Sequence, residues 1–158
     1  MPRQLCLLLV VWFLLVAGGP SAAPGEEDAA KDLAKLQGKW KLVEEDLDGK
    51  VTKSADGHVI GFEKEVEINY DADGGVAAKA TIKLDPSKSP KAIDMTIVFI
   101  VLLPDKKGDT FRGIYQLEGD ELKLALPILP SRQRPKEFTT KKELAPRFEV
   151  LTYKRVKP

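Results

Sequence analysis

A few residue groups in this chain have the types and spacing from which chemistry is built. His58 is the single histidine, and Asp46–Lys50 and Asp71–Gly75 alternate aspartates as calcium loops do. Asp94 and Glu118 offer a carboxylate pair, and Arg132, Arg134 and Lys136 cluster between prolines. A calcium loop needs a bidentate glutamate at its twelfth position, and here those positions hold Gly57 and Ile82. Both stretches therefore read as turns, with Asp and Gly supplying positive φ. A lone His beside Asp56-Gly57 reads as a solvated strand-end residue, since zinc and transition-metal sites draw on several His and Cys ligands. The carboxylate pair would need one member with a raised pKa to act as an acid. Among 24 acidic residues such pairs arise by accident, and Asp94 reads instead as a brace for the proline loop before it. No catalytic residue, metal site or cofactor is expected, and neither GxGxxG nor a P-loop occurs.

The only cysteine, Cys6, lies in an apolar run, Leu5–Ala17, that follows Arg3 and precedes the small residues Gly18-Gly19-Pro20-Ser21-Ala22-Ala23. Thirteen apolar residues are too few to span a bilayer, which takes about 20, and they fit the h-region of a signal peptide. The expected organisation is a signal peptide over 1–23, a segment with a short helix over 24–37, and one barrel domain over 38–158. The expected location is periplasmic or secreted, with no integral span in the mature chain. Twenty-five basic groups stand against 24 acidic ones, and without Arg3 the two balance. A neutral chain has no general pull toward nucleic acid or anionic lipid. With no cysteine left after cleavage, the domain has no disulfide and must rest on its core. At about 135 residues it can bury roughly 68% of its unfolded surface.

The elements that must position these residues read in period two. Asp28–Leu36 predicts a short helix capped by Asp28, with Leu33 and Leu36 on one face. Strands follow at Lys39–Leu47, His58–Phe62, Lys64–Tyr70, Val76–Leu84, Ala92–Leu103, Thr110–Glu118, Glu121–Leu126 and Arg147–Arg155, with a short segment at Glu137–Thr140. In Lys64–Tyr70 the apolar set Val66, Ile68 and Tyr70 is expected to face inward against Glu65, Glu67 and Asn69. Ala78 and Ala80 suggest a crowded or tapering interior. Some eight or nine short strands joined by Gly/Asp turns predict an all-β fold, an antiparallel barrel of about eight strands, since closure removes exposed edges. A barrel of this size is either filled by side chains or holds one small ligand.

Leu36-Gln37-Gly38-Lys39-Trp40-Lys41-Leu42-Val43 resembles the opening of a planctomycetal family of exported lipocalin-like domains of unknown function. Leu84–Thr96, Gly113–Leu122 and Arg134–Phe138 resemble further blocks of that family in order. Gly38-x-Trp40 after a short helix also resembles the opening of the wider lipocalin group. That resemblance implies a tryptophan packed across one barrel end beneath a basic residue of the last strand, for which Arg155 is the candidate. It brings a fold and a compartment but no established activity.

Ile97–Leu103 departs from the pattern by being apolar on both faces. One alternating set would then face outward, Val98, Ile100 and Leu102 or else Ile97, Phe99 and Val101, either under cover of the helix or the Pro127–Pro130 loop or as a surface for a partner or a second copy. Two functions stay open. In one the barrel holds a small apolar or amphipathic ligand, with Tyr70, Arg112 and Tyr115 as polar points. In the other a filled barrel works as a protein or cell-envelope interaction module, with Arg132 and Arg134 meeting an acidic partner.

Overall fold

The computed structural model describes residues 24–54, 57–140 and 146–157. The expected leader over 1–23 lies outside the described residues. Helix α1 (Pro24–Leu36) starts earlier than the expected cap at Asp28. Proline at a first turn has no N–H to leave unpaired, and Glu26 and Glu27 lie in that turn, where the helix dipole favours negative charge. Asp28 serves within the helix, 3.7 Å from Lys31.

Nine strands follow: β1 (Gly38–Leu47), β2 (Lys50–Lys53), β3 (Val59–Glu63), β4 (Val66–Tyr70), β5 (Val76–Asp85), β6 (Lys91–Ile100), β7 (Thr110–Glu118), β8 (Glu121–Pro127) and β9 (Phe148–Arg155). Strand β1 pairs antiparallel with β3, each of β3 to β8 pairs antiparallel with the next, and β9 returns to pair with β1. The result is an all-β, closed antiparallel barrel of eight strands with one short helix. The exposed β2 is the extra strand, which the sequence reading did not anticipate. It folds back on the second half of β1 through Asp48 (φ 55°) and Gly49 (φ 75°), the two positive values that a tight hairpin turn requires. Glu137–Thr140, expected as a short strand, is irregular. Its Phe138 instead packs on Ile114, Ala125 and Val150, an apolar patch on the outer barrel wall.

The helix closes one end. Leu36, Trp40, Phe62, Ile82, Ile93, Tyr115, Leu122 and Tyr153 fill that half of the barrel. Trp40 is fully buried, and its indole Nε1 donates to the Leu36 carbonyl at 2.7 Å. The Arg155 guanidinium lies 4.1 Å from the Trp40 ring centroid and donates to the carbonyls of Gln37 (2.8 Å) and Lys35 (2.5 Å). Gly38, at φ 103°, turns the chain out of the helix through a backbone conformation that L side chains rarely adopt. Gly38, Trp40 and Arg155 thus form one structural device that fastens the helix end to the first and last strands.

A second tie is ionic. The Asp32 carboxylate, almost fully buried, accepts from Lys91 Nζ at 2.6 Å and from the Tyr115 hydroxyl at 2.8 Å. Burial alone would raise the Asp32 pKa, but those hydrogen bonds and the lysine charge outweigh it and hold the carboxyl below its usual range. Asp32→Ala should therefore cost about 2 kcal/mol in urea denaturation, because the buried Tyr115 hydroxyl loses its acceptor. A loss no larger than that of an exposed helix substitution would show that this tie does not hold the helix down.

Candidate functional site

The opposite end of the barrel is built differently. Residues directly paired across a ladder share a face, so the filled half fixes the facing of every strand. On β4, Glu67 pairs with Phe62 and Ala80, and Asn69 with Ile60 and Ala78. Ile60, Phe62 and Ala80 belong to the interior cluster, so Glu67 and Asn69 point inward. This reverses the expected facing of β4. Val66, Ile68 and Tyr70 take the outer wall, because the regular ladders to β3 and β5 set Glu67 and Asn69, not the apolar set, opposite the interior residues of both neighbours.

A cavity of about 270 Å³ opens in this half, lined by Glu67, Asn69, Ala78, Ala80, Met95, Ile97, Ile100, Phe111, Leu126 and Glu149 among others. The two alanines leave space there rather than marking a crowded interior. Glu67 is only 3% exposed, and one of its oxygens accepts from the Asn69 amide. The Asn69 carbonyl oxygen lies 2.7 Å from Nε2 of exposed His58 at the strand end. A polar chain thus runs from the barrel mouth to a buried carboxyl. Burial pushes Glu67 up to about 8, which the single Asn69 hydrogen bond does not offset. Burial, with the neighbouring Glu45 carboxylate, pushes Glu149 up to about 6. Tyr153, deeper in the barrel, is pushed upward by burial and by Glu67, Glu149 and Glu45. At neutral pH Glu67 is therefore mostly an uncharged acid able to donate a hydrogen bond into the cavity.

Most polar residues singled out from sequence lie elsewhere. Tyr70 is on the outer wall, its ring packed over Gly61 and under Lys39 Nζ at 4.8 Å from the centroid. Arg112 is also outside, paired with Asp94 on a face that alternates with interior Met95 and Phe111. Tyr115 does face inward, but at the helix end, where Asp32 takes its hydroxyl. None of the three lines the cavity. Asp94 and Glu118 are not brought together. Asp94 meets Arg134 at 2.5 Å, while Glu118 stands at the β7–β8 turn opposite Glu121.

Arg134 is likewise not a free contact residue. Its guanidinium also donates to the carbonyls of Ile93 (2.9 Å) and Gly113 (2.5 Å), which clamps the late loop to the barrel wall. Arg132 remains exposed. On β6 a bulge between Lys79 and Ala80 leaves Val98 unpaired, so Val98 and Phe99 both face out while Ile97 and Ile100 line the cavity. Ile100 therefore leaves the outward set. The strand ends there, and Val101, Leu102 (86% exposed) and Leu103 continue an apolar ridge that no described residue covers.

The cavity residues Glu67, Asn69 and Glu149 escaped the sequence reading. The signal that could have found them is Ala78 and Ala80: small inward residues leave room for larger inward neighbours, and the β4–β5 ladder sets Glu67 and Asn69 opposite them.

Fold and site together define a closed barrel plugged at one end and opening at the other onto an apolar cavity with buried carboxyls. No protein-family model and no curated protein matches the chain. Among solved structures it is similar to an uncharacterized protein from Bacteroides eggerthii, at 17% identity and a TM-score of 0.44, over 77% of this chain and 99% of that one.

Proposed function

We propose that this is an exported, lipocalin-like binding protein that holds a small apolar or amphipathic molecule in the open half of its barrel. The observation that carries the reading is the cavity itself, with walls of Ala, Met, Ile, Leu and Phe and polar groups converging from Glu67, Asn69 and Glu149. Its volume of about 270 Å³ lies just below the roughly 300–1,000 Å³ common for ligand sites, which favours a ligand smaller than a typical drug. The apolar leader supports export, and the Trp40–Arg155 stack beneath the helix supports the lipocalin resemblance.

Native mass spectrometry of the protein purified after exported expression tests this. A mass increment that persists in the native ion, vanishes on denaturation and is lost in Ala80→Phe is the expected result. A clean apo monomer that also takes up none of a panel of short-chain amphiphiles would overturn it. A second reading rests on the ridge of Val98, Phe99, Val101, Leu102 and Leu103, which is apolar and uncovered as contact surfaces are. A dimer that Leu102→Lys dissociates would favour that reading.

A further inference from the structure

The reading of the cavity as a ligand site can be carried to the class of ligand. The inward positions of the open half can be read from the register: Glu45 and Leu47 on β1, Glu67 and Asn69 on β4, Ala78 and Ala80 on β5, Met95, Ile97 and Ile100 on β6, Phe111 on β7, Leu126 on β8 and Glu149 on β9. Three of these are carboxylic acids and none is basic. Lys91 is an inward lysine, but it stands at the helix end and is taken by Asp32. Lys79 borders the cavity from a strand position that faces out, paired with Ile68 and Phe99. Exposed His58 reaches the interior only through Asn69.

Among the described residues, no lysine or arginine forms an ion pair with Glu45, Glu67 or Glu149. Buried acidic groups without a cation are costly to ionise and are ordinarily paired. A cavity of this composition repels a carboxylate ligand such as a fatty acid, and it offers an alcohol nothing beyond a hydrogen bond. An ammonium group supplies the missing countercharge, while its hydrocarbon part meets the apolar wall.

We infer that the cavity selects a small amphipathic amine, bound as its ammonium ion between Glu67 and Glu149 with its alkyl or aryl part against Ala80, Met95, Ile97 and Phe111. This rests on the proposed binding function and adds its charge specificity. Because Glu67 is mostly protonated at pH 7 when the cavity is empty, seating the cation makes it give up its proton to solvent. The ligand arrives already charged, so the proton balance of binding is a release from the protein.

The test is isothermal titration of the full protein with n-hexylamine, n-hexanol and hexanoate at pH 7, in two buffers of different ionisation enthalpy. The amine is expected to bind at least about tenfold tighter than the alcohol, a difference of about 1.4 kcal/mol. It should release up to about one proton per site, and hexanoate should bind most weakly. In Glu67→Gln the amine-to-alcohol ratio should fall toward one and the proton release should disappear, with Glu149→Gln giving the same direction of change. An alcohol that binds as well as the amine, or an amine preference untouched in both variants, overturns the charge specificity while the cavity stands as a binding site. If none of the three binds, the proposed function fails and this inference with it.

Discussion

Glu67→Gln is expected to stabilise the protein at pH 8 while leaving it nearly unchanged at pH 5, reversing the usual penalty for altering a buried polar residue. The glutamine keeps an oxygen for the Asn69 amide but cannot ionise. In the native protein Glu67 titrates near 8, whereas in the unfolded chain it returns to its ordinary value of 4.5. Between those values the folded state holds a proton that the unfolded state has lost, so stability falls as pH rises through this window. At about 1.4 kcal/mol per pH unit, the wild type should lose on the order of 4 kcal/mol between pH 5 and pH 8. Glu149, raised to about 6, adds a smaller loss at the acid side of the same window. Asp32 has the opposite sign: its lowered pKa contributes stability above the usual aspartate range, which is lost as the solution is acidified through it. Urea midpoints from pH 4 to pH 9 measure the balance. The wild-type curve should descend above pH 5 and the variant's should be nearly flat from pH 6 to 8. Parallel curves would mean that Glu67 is ionised and solvated in the folded barrel.

The second large effect lies at the opposite end. Trp40→Ala should cost about 3–5 kcal/mol, because it empties a fully buried indole from the centre of the plug. The same change leaves the Leu36 carbonyl without its donor and the Arg155 guanidinium without the ring it covers, a contact worth about 0.5–2 kcal/mol. Against a typical total of about 5–15 kcal/mol, such a loss takes the domain toward the edge of folding. Trp40→Phe separates the contributions. It retains an aromatic face for Arg155 and most of the volume, so it should cost roughly half as much, chiefly through the lost indole hydrogen bond. Guanidinium denaturation of both variants gives the comparison. A Trp40→Ala protein that loses less than about 1 kcal/mol would show that helix and barrel close without this plug.

How far the chain could be read before folding differs between its two ends. The plug was legible through the resemblance of Gly38-x-Trp40 to the lipocalin opening, which implies a basic residue of the last strand over the tryptophan and so pointed to Arg155. The strand count and most turns were legible too, since apolar alternation broken by Asp-Gly and Gly-Asp pairs has few other solutions in a chain whose only cysteine is Cys6. Closure followed from the same alternation, because a water-facing meander of this length otherwise leaves two open edges.

The cavity was not legible, and the reason is geometric. Period-two alternation divides a strand into two faces but does not say which face turns inward; the register with its neighbours decides that. On β4 the apolar set Val66, Ile68 and Tyr70 suggested the interior, yet the ladders to β3 and β5 set Glu67 and Asn69 opposite interior residues and bring them inside. The bulge on β6 breaks the alternation of a stretch that is apolar on both sides, sending Val98 and Phe99 out together and keeping Ile97 and Ile100 in. Arg134 shows the same limit at longer range, since only the folded barrel places the Ile93 and Gly113 carbonyls and Asp94 around its guanidinium. The sequence by itself determined the strands and the turns, set by neighbouring residues and local sterics, while the Trp40–Arg155 stack joins the first and last strands, far apart along the chain. The tertiary structure alone decided which carboxyls are buried together, because the partners across each ladder, distant in sequence, choose which face of an alternating strand turns inside the barrel.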